Sequence, residues 1–174
     1  FLNLPGLGFL GLVEGQGPTT VQRGLPEMIG HCSGDLTTSC TVDGDCPALQ
    51  TCILTSNSIQ TEIIEMELSG FDPLLGEFHI RPSPAPPSAG TTTSQQDTST
   101  YPADSFFDVF VDVELTEAGT VLHNEEPVRV TAFHWDDTER VTNVPPDPET
   151  SWRSPQGVTY PLLDPTGTPI GDLT

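Results

Sequence analysis

The sequence predicts an all-β protein, an antiparallel β-sandwich of about seven or eight strands with a disulfide-stapled insertion. Three observations carry this expectation. Eighteen prolines and sixteen glycines interrupt the chain too often for long helices. No segment shows the 3.6-residue periodicity of an amphipathic helix. Residues 104–115, DSFFDVFVDVEL, alternate instead with a period of two. Phe107, Val109, Val111, Val113 and Leu115 share one parity, which is wholly apolar and must face a core. Phe106, Asp108, Phe110, Asp112 and Glu114 share the other. Two phenylalanines among three carboxylates predict that part of this second face is also covered.

The elements follow in order. Residues 1–13, FLNLPGLGFLGLV, form an uncharged apolar arm. Such an arm must be buried, either as the first strand of its own sandwich or as a strand donated to a neighbouring copy, with Leu4, Leu7, Phe9, Leu10 and Leu12 filling a groove near Phe106 and Phe110. Residues 14–174 form one domain, a length that buries roughly two thirds of the unfolded chain's surface. Within it, 19–23 reads as a strand. Residues 31–53 form a cysteine knuckle between strands. Residues 59–68 form the next strand, with Ile64, Met66 and Leu68 inward and Glu65 and Glu67 outward, and 77–81 returns after a turn at Asp72–Pro73. Residues 82–102 contain nine Ser or Thr and five Pro and read as a surface loop, whose Thr91, Thr92, Thr93 and Ser94 are candidates for O-linked sugar. No Asn-X-Ser/Thr acceptor occurs. Beyond the organising strand, Glu117 to Thr120 form a turn. Val128, Val130 and Ala132 share a strand face, Trp152 anchors a proline-rich loop, and Val158, Tyr160 and Leu162 alternate in a late strand. Asp164 to Gly167 turn into a last short segment.

Charge narrows the partners. Twenty-five acidic residues stand against five arginines and no lysine, a net of −20. Nucleic acid and anionic membrane surfaces are excluded for want of a basic footprint. No apolar run is long enough to span a bilayer. Calcium is the natural cation for such a surface, and Asp43-Gly44-Asp45 has the short spacing of a calcium loop without the rest of an EF-hand, leaving Asp43 and Asp45 as candidate ligands; no other cofactor is indicated. The start at Phe1 rather than Met suggests a mature exported product.

Cys32, Cys40, Cys46 and Cys52 read as two disulfides of an exported protein, with three pairings open. Zinc is the rival, but gaps of seven, five and five residues are longer than its usual ligand pairs. The histidines at 31, 79, 123 and 134 are scattered, and no G-x-S-x-G elbow accompanies them. His123-Asn124-Glu125-Glu126 reads as a polar turn before Pro127 rather than a metal or acid–base cluster. Among 25 carboxylates some pair meets glycosidase spacing by accident, so that spacing is uninformative. The chain is therefore not expected to be an enzyme. Without lysine, covalent Lys–Asn or Lys–Asp cross-links are excluded, and no L-P-x-T-G sorting signal is present.

The blocks TEIIEMELSG, PADSFFDVFVDVEL, LHNEEPVRV and YPLLD, after an opening PGLG, together resemble a family of uncharacterised secreted bacterial β-sandwich domains. The resemblance covers most of residues 4–165 and leaves the knuckle and the Pro/Thr stretch as insertions. More loosely, the chain is similar to subunits of glycan-coated extracellular fibrils. The family has no assigned activity, so no catalytic residues follow. The resulting expectation is a secreted, cell-surface structural subunit that polymerises with copies of itself by strand donation. The alternative is a monomeric carbohydrate- or calcium-binding module presenting Trp135, Trp152 and Tyr160 as ring platforms. A two-carboxylate hydrolase ranks last.

Overall fold

The computed structural model describes residues 2–4, 9–10, 17–73, 76–95, 101–134, 136–143 and 150–173. These form fifteen strands and no α-helix. In chain order they are β1 (Leu2–Leu4), β2 (Phe9–Leu10), β3 (Thr19–Cys32), β4 (Asp35–Cys40), β5 (Cys52–Met66), β6 (Leu68–Asp72), β7 (Gly76–Pro82) and β8 (Ser88–Ser94). There follow β9 (Ala103–Val109), β10 (Val111–Leu115), β11 (Thr120–His123), β12 (Val128–Phe133), β13 (Ser151–Arg153), β14 (Tyr160–Leu163) and β15 (Pro169–Leu173). One sheet has the order β2-β1-β15-β14-β11-β10-β7-β6, the other β13-β12-β9-β8-β5-β3-β4. Every pairing within them is antiparallel.

The strand count exceeds the seven or eight expected because long strands turn corners and change sheets. Residues 104–115 are not one strand: β9 lies in the second sheet, β10 in the first, and Phe110 is the corner. β5 passes to β6 through Glu67 in the same manner. Sandwiches whose strands switch sheets at bends share one core between both layers. Here Phe107 and Val109 of one sheet and Val111, Val113 and Leu115 of the other fall in a single apolar cluster with Ile63, Phe78, Leu122 and Leu162. The predicted inward parity is therefore correct along its whole length.

A corner removes ladder partners, and the buried backbone must find others. At Phe110 two buried side chains supply them. Ser88 Oγ accepts from the Phe110 amide at 2.9 Å and donates to its carbonyl at 3.1 Å. Asn124 Oδ1 accepts from the Val111 amide at 2.7 Å, while its Nδ2 donates to the carbonyls of Val109 at 3.0 Å and Glu126 at 2.7 Å. Of the segment 123–126, expected to be a turn, His123 ends β11 and 124–126 form the bend after it; Asn124 there braces the place where the chain changes layer.

Two other readings are corrected. Residues 82–102 are not a continuous loop, since β8 runs through them between β5 and β9. Ser88, Gly90, Thr92 and Ser94 face inward, and Thr92 shares a 2.8 Å hydrogen bond with Ser105 of β9. A strand of small polar residues can be central when its hydroxyls pair across the ladder. Gly90 is required there, because a Cβ would collide with the Phe106 carbonyl and the Phe107 ring. In β5 the inward residues are Ile59, Thr61 and Ile63, whereas Ile64 is 51% exposed; register shifts along the β3–β5 ladder displace the parity that a plain alternation implies.

The described part of the N-terminal arm lies in its own chain's sheet. Leu2 and Asn3 pair with Leu173 and Asp172, and β2 pairs back onto β1 at the sheet edge. Leu7 and Leu12 lie outside the described residues.

Candidate functional site

The two sheets do not fill the space between them. At one end Phe78, Val113, Leu115, Leu122 and Leu162 are fully buried against one another. Toward the other end the interior opens into a cavity of about 780 Å³. Its walls follow from the period of two. Thr19, Val21 and Arg23 are alternate residues of β3, facing Ile63 and Met66 of β5 through the pairs Val21–Ile63 and Thr19–Met66. Val128 and Val130 of β12 stand opposite Val109 and Phe107 of β9. Leu68, Ile80, Val111 and Leu173 close the facing sheet, and Trp152 of β13 packs on Phe107 with ring centroids 5.1 Å apart. Well-packed interiors leave few voids larger than a water, and this space is far above that size. It opens to solvent near Val21 and Trp152, which are 38% and 37% exposed.

Electrostatically the cavity inverts the rest of the molecule. No Asp or Glu is among its described lining residues, and Arg23 is the one charged group there. Arg23 Nη1 donates to the Tyr101 hydroxyl at 3.2 Å. Directly across the ladder from Arg23 is Thr61, 4% exposed and not among the cavity's lining residues, whose Oγ1 has no hydrogen-bond partner among the described residues.

The second face of residues 104–115 is covered by side chains of its own chain. The Arg129 guanidinium lies 4.1 Å above the Phe106 ring and bonds both oxygens of Asp108 at 2.8 and 2.6 Å. Phe106 is therefore a stacking partner within the sheet, and Phe110 is the corner residue. Arg81 of β7 bonds Glu67, between β5 and β6, through Nε at 2.7 Å and Nη2 at 3.0 Å, and Glu114 of β10 at 3.0 Å; the Arg81 guanidinium holds the Glu67 carboxyl below its ordinary range.

The cysteines form two disulfides, Cys32–Cys46 and Cys40–Cys52. The sulfurs of Cys32, Cys40 and Cys46 lie within 4.8 Å of one another, but as disulfides they are not thiolate ligands for zinc. Such bonds mark an oxidising, extracellular-type environment. No helix among the described residues is long and apolar enough to cross a membrane. Carboxylates organise the same knuckle. Asp45 Oδ2 accepts from the Thr41 amide and hydroxyl and the Val42 amide, and these bonds, the Thr41 amide first, lower its pKa. Asp43 Oδ1 accepts from the Cys52 amide at 2.8 Å. The Thr37 and Thr38 hydroxyls and the Thr37 amide bring Asp35 down to about 2. Among the described residues no third acidic or histidine group stands with Asp43 and Asp45 as a ligand set; the hydrogen bonds described for the two carboxylates are to groups of the knuckle itself.

The remaining candidates separate as follows. Thr92 and Ser94 are buried and are withdrawn as sugar acceptors, while Thr91 and Thr93 are half-exposed on the opposite face of β8. Tyr160 is 7% exposed and forms no surface platform. Trp152, expected in a proline-rich loop, lies in β13 and packs on Phe107, and Trp135 lies outside the described residues. Leu4, Phe9 and Leu10 lie in β1 and β2. The cavity residues were not singled out by the sequence; the available signal was Thr19-Val21-Arg23, an inward parity that ends in a charge.

No protein-family profile and no curated protein matches the chain. Among solved structures the fold is similar to that of DynF from the dynemicin biosynthesis pathway of Micromonospora chersina. The TM-score is 0.55 and the identity 19%, over 96% of this chain and 82% of that one. At that identity the likeness is one of fold.

Proposed function

We propose that this is an exported, extracellular β-sandwich that binds a small apolar ligand between its sheets, and that it does so without catalysing a reaction. The observation that carries the reading is the cavity of about 780 Å³, which lies within the roughly 300–1,000 Å³ range of small-molecule sites. Its apolar walls stabilise a hydrocarbon by about 25 cal/mol per Å² removed from water. Titration with dodecanol tests it: the protein takes up one molecule, and Val130→Trp, which fills the space from β12, weakens uptake by about tenfold or more while the variant stays folded. Uptake unchanged by that substitution, or no uptake by the native chain, contradicts the reading.

Strand donation between copies, building an extracellular fibre, is the second reading. The edge position of β1 and β2 favours it: they are three and two residues long, and β1 reaches the rest of the sheet through Leu2–Leu173 and Asn3–Asp172. Short edge strands are readily exchanged between copies. Electron micrographs of the native material test this directly, since filaments that disappear on deletion of residues 1–13 support it and monomeric particles refute it.

A further inference from the structure

Five arginines serve a chain with 25 carboxylates. Four of them are spent on acids: Arg81 on Glu67 and Glu114, Arg129 on Asp108, Arg140 on Asp136 and Arg153 on Asp137. Arg23 differs, with no ion pair among the described residues and its Nη1 on the Tyr101 hydroxyl. It stands on the lining of an apolar cavity that has no Asp or Glu among its described residues. An arginine carries five N–H donors, and among the described residues the Tyr101 hydroxyl takes one of them.

We infer that the ligand of this cavity is an anionic amphiphile, a hydrocarbon chain ending in a carboxylate, with the tail among Val109, Val128 and Val130 and the head group on Arg23. The inference rests on the cavity reading above and deepens it. Guanidinium–carboxylate pairing is bidentate and strengthens where neighbouring surface is apolar. The surrounding negative charge does not forbid it, because screening over about 8 Å confines the effect of distant carboxylates at physiological salt.

The test compares three probes of equal chain length on the full protein, each at concentrations where it is monomeric: dodecanoate, dodecanol and dodecylammonium. Dodecanoate binds about tenfold or more tightly than dodecanol, and dodecylammonium more weakly than either. Arg23→Met removes the preference for dodecanoate over dodecanol. Arg23→Gln, which keeps a polar side chain without the charge, removes it likewise and serves as the second variant if Arg23→Met does not fold. Dodecanol and dodecanoate binding equally to the native protein overturns this inference alone, as does a preference that survives Arg23→Met. Failure of both probes to bind overturns the cavity reading and this inference with it.

Discussion

The closed and open ends of the sandwich are built by the same rule and do different work. At the closed end Phe78, Leu115, Leu122 and Leu162, on neighbouring strands of the first sheet, pack into the shared core with no exposed surface. At the open end Val21, Val128 and Val130 border a cavity whose facing wall is Leu68, Ile80, Val111 and Leu173. Alternation decides which residues face inward, but not whether the layers meet. The Phe110 corner lies between Val109 and Val111, which line the cavity, while the fully buried side chains of Phe78, Val113, Leu115, Leu122 and Leu162 are not among its lining residues.

The contrast is broken most forcefully by truncation. Leu122→Ala removes a fully buried side chain and leaves a cavity, at a cost of about 2–5 kcal/mol. Val130→Ala costs about 1 kcal/mol or less, because its wall already borders open space. Urea unfolding of the two variants checks the difference; equal losses contradict a division between the ends. Next in size is the corner brace. Asn124→Ala strands the Val111 amide and the Val109 carbonyl, and costs about 2–3 kcal/mol by the same measurement.

The smallest effect sharpens the comparison from outside both ends, in the knuckle. Asp35 is brought from 3.8 to about 2 in the folded state. A depressed carboxyl contributes stability above its unfolded value and loses that contribution as pH falls through the folded value. Asp35→Asn is therefore slightly less stable than the native protein at pH 6, and the two converge between about pH 4 and pH 2. Melting curves across that range check it, and a gap that widens on acidification contradicts it. The group is exposed, so salt screening keeps the effect small.

The alternation of residues 104–115 revealed the core face correctly because parity survives the corner: Val109 and Val111 both point inward although they belong to different sheets. For the same reason it concealed the corner. The groups that hold Phe110, Ser88 and Asn124, are remote in sequence and ordinary in type. β8 escaped notice because SAGTTTS has no large apolar residue, and its burial depends on hydroxyl pairing such as Thr92–Ser105. The cysteines were legible as disulfides from their number and spacing, but their pairing depended on the β3–β5 register, which sets Cys32 opposite Cys52 while each bonds a different partner. The candidate site was least legible of all. A cavity is defined by atoms that the facing sheet does not supply, and Arg23 is distinguished by the carboxylate it lacks.

The most direct test of the central claim is an amide and methyl NMR map of the native protein titrated with dodecanol. The account predicts shifts at Val21, Val109, Val130 and Trp152 and none at Leu122 or Leu162. Shifts confined to the outer faces or to the strand edge at β1, or no shifts at saturating dodecanol, contradict a ligand held between the sheets.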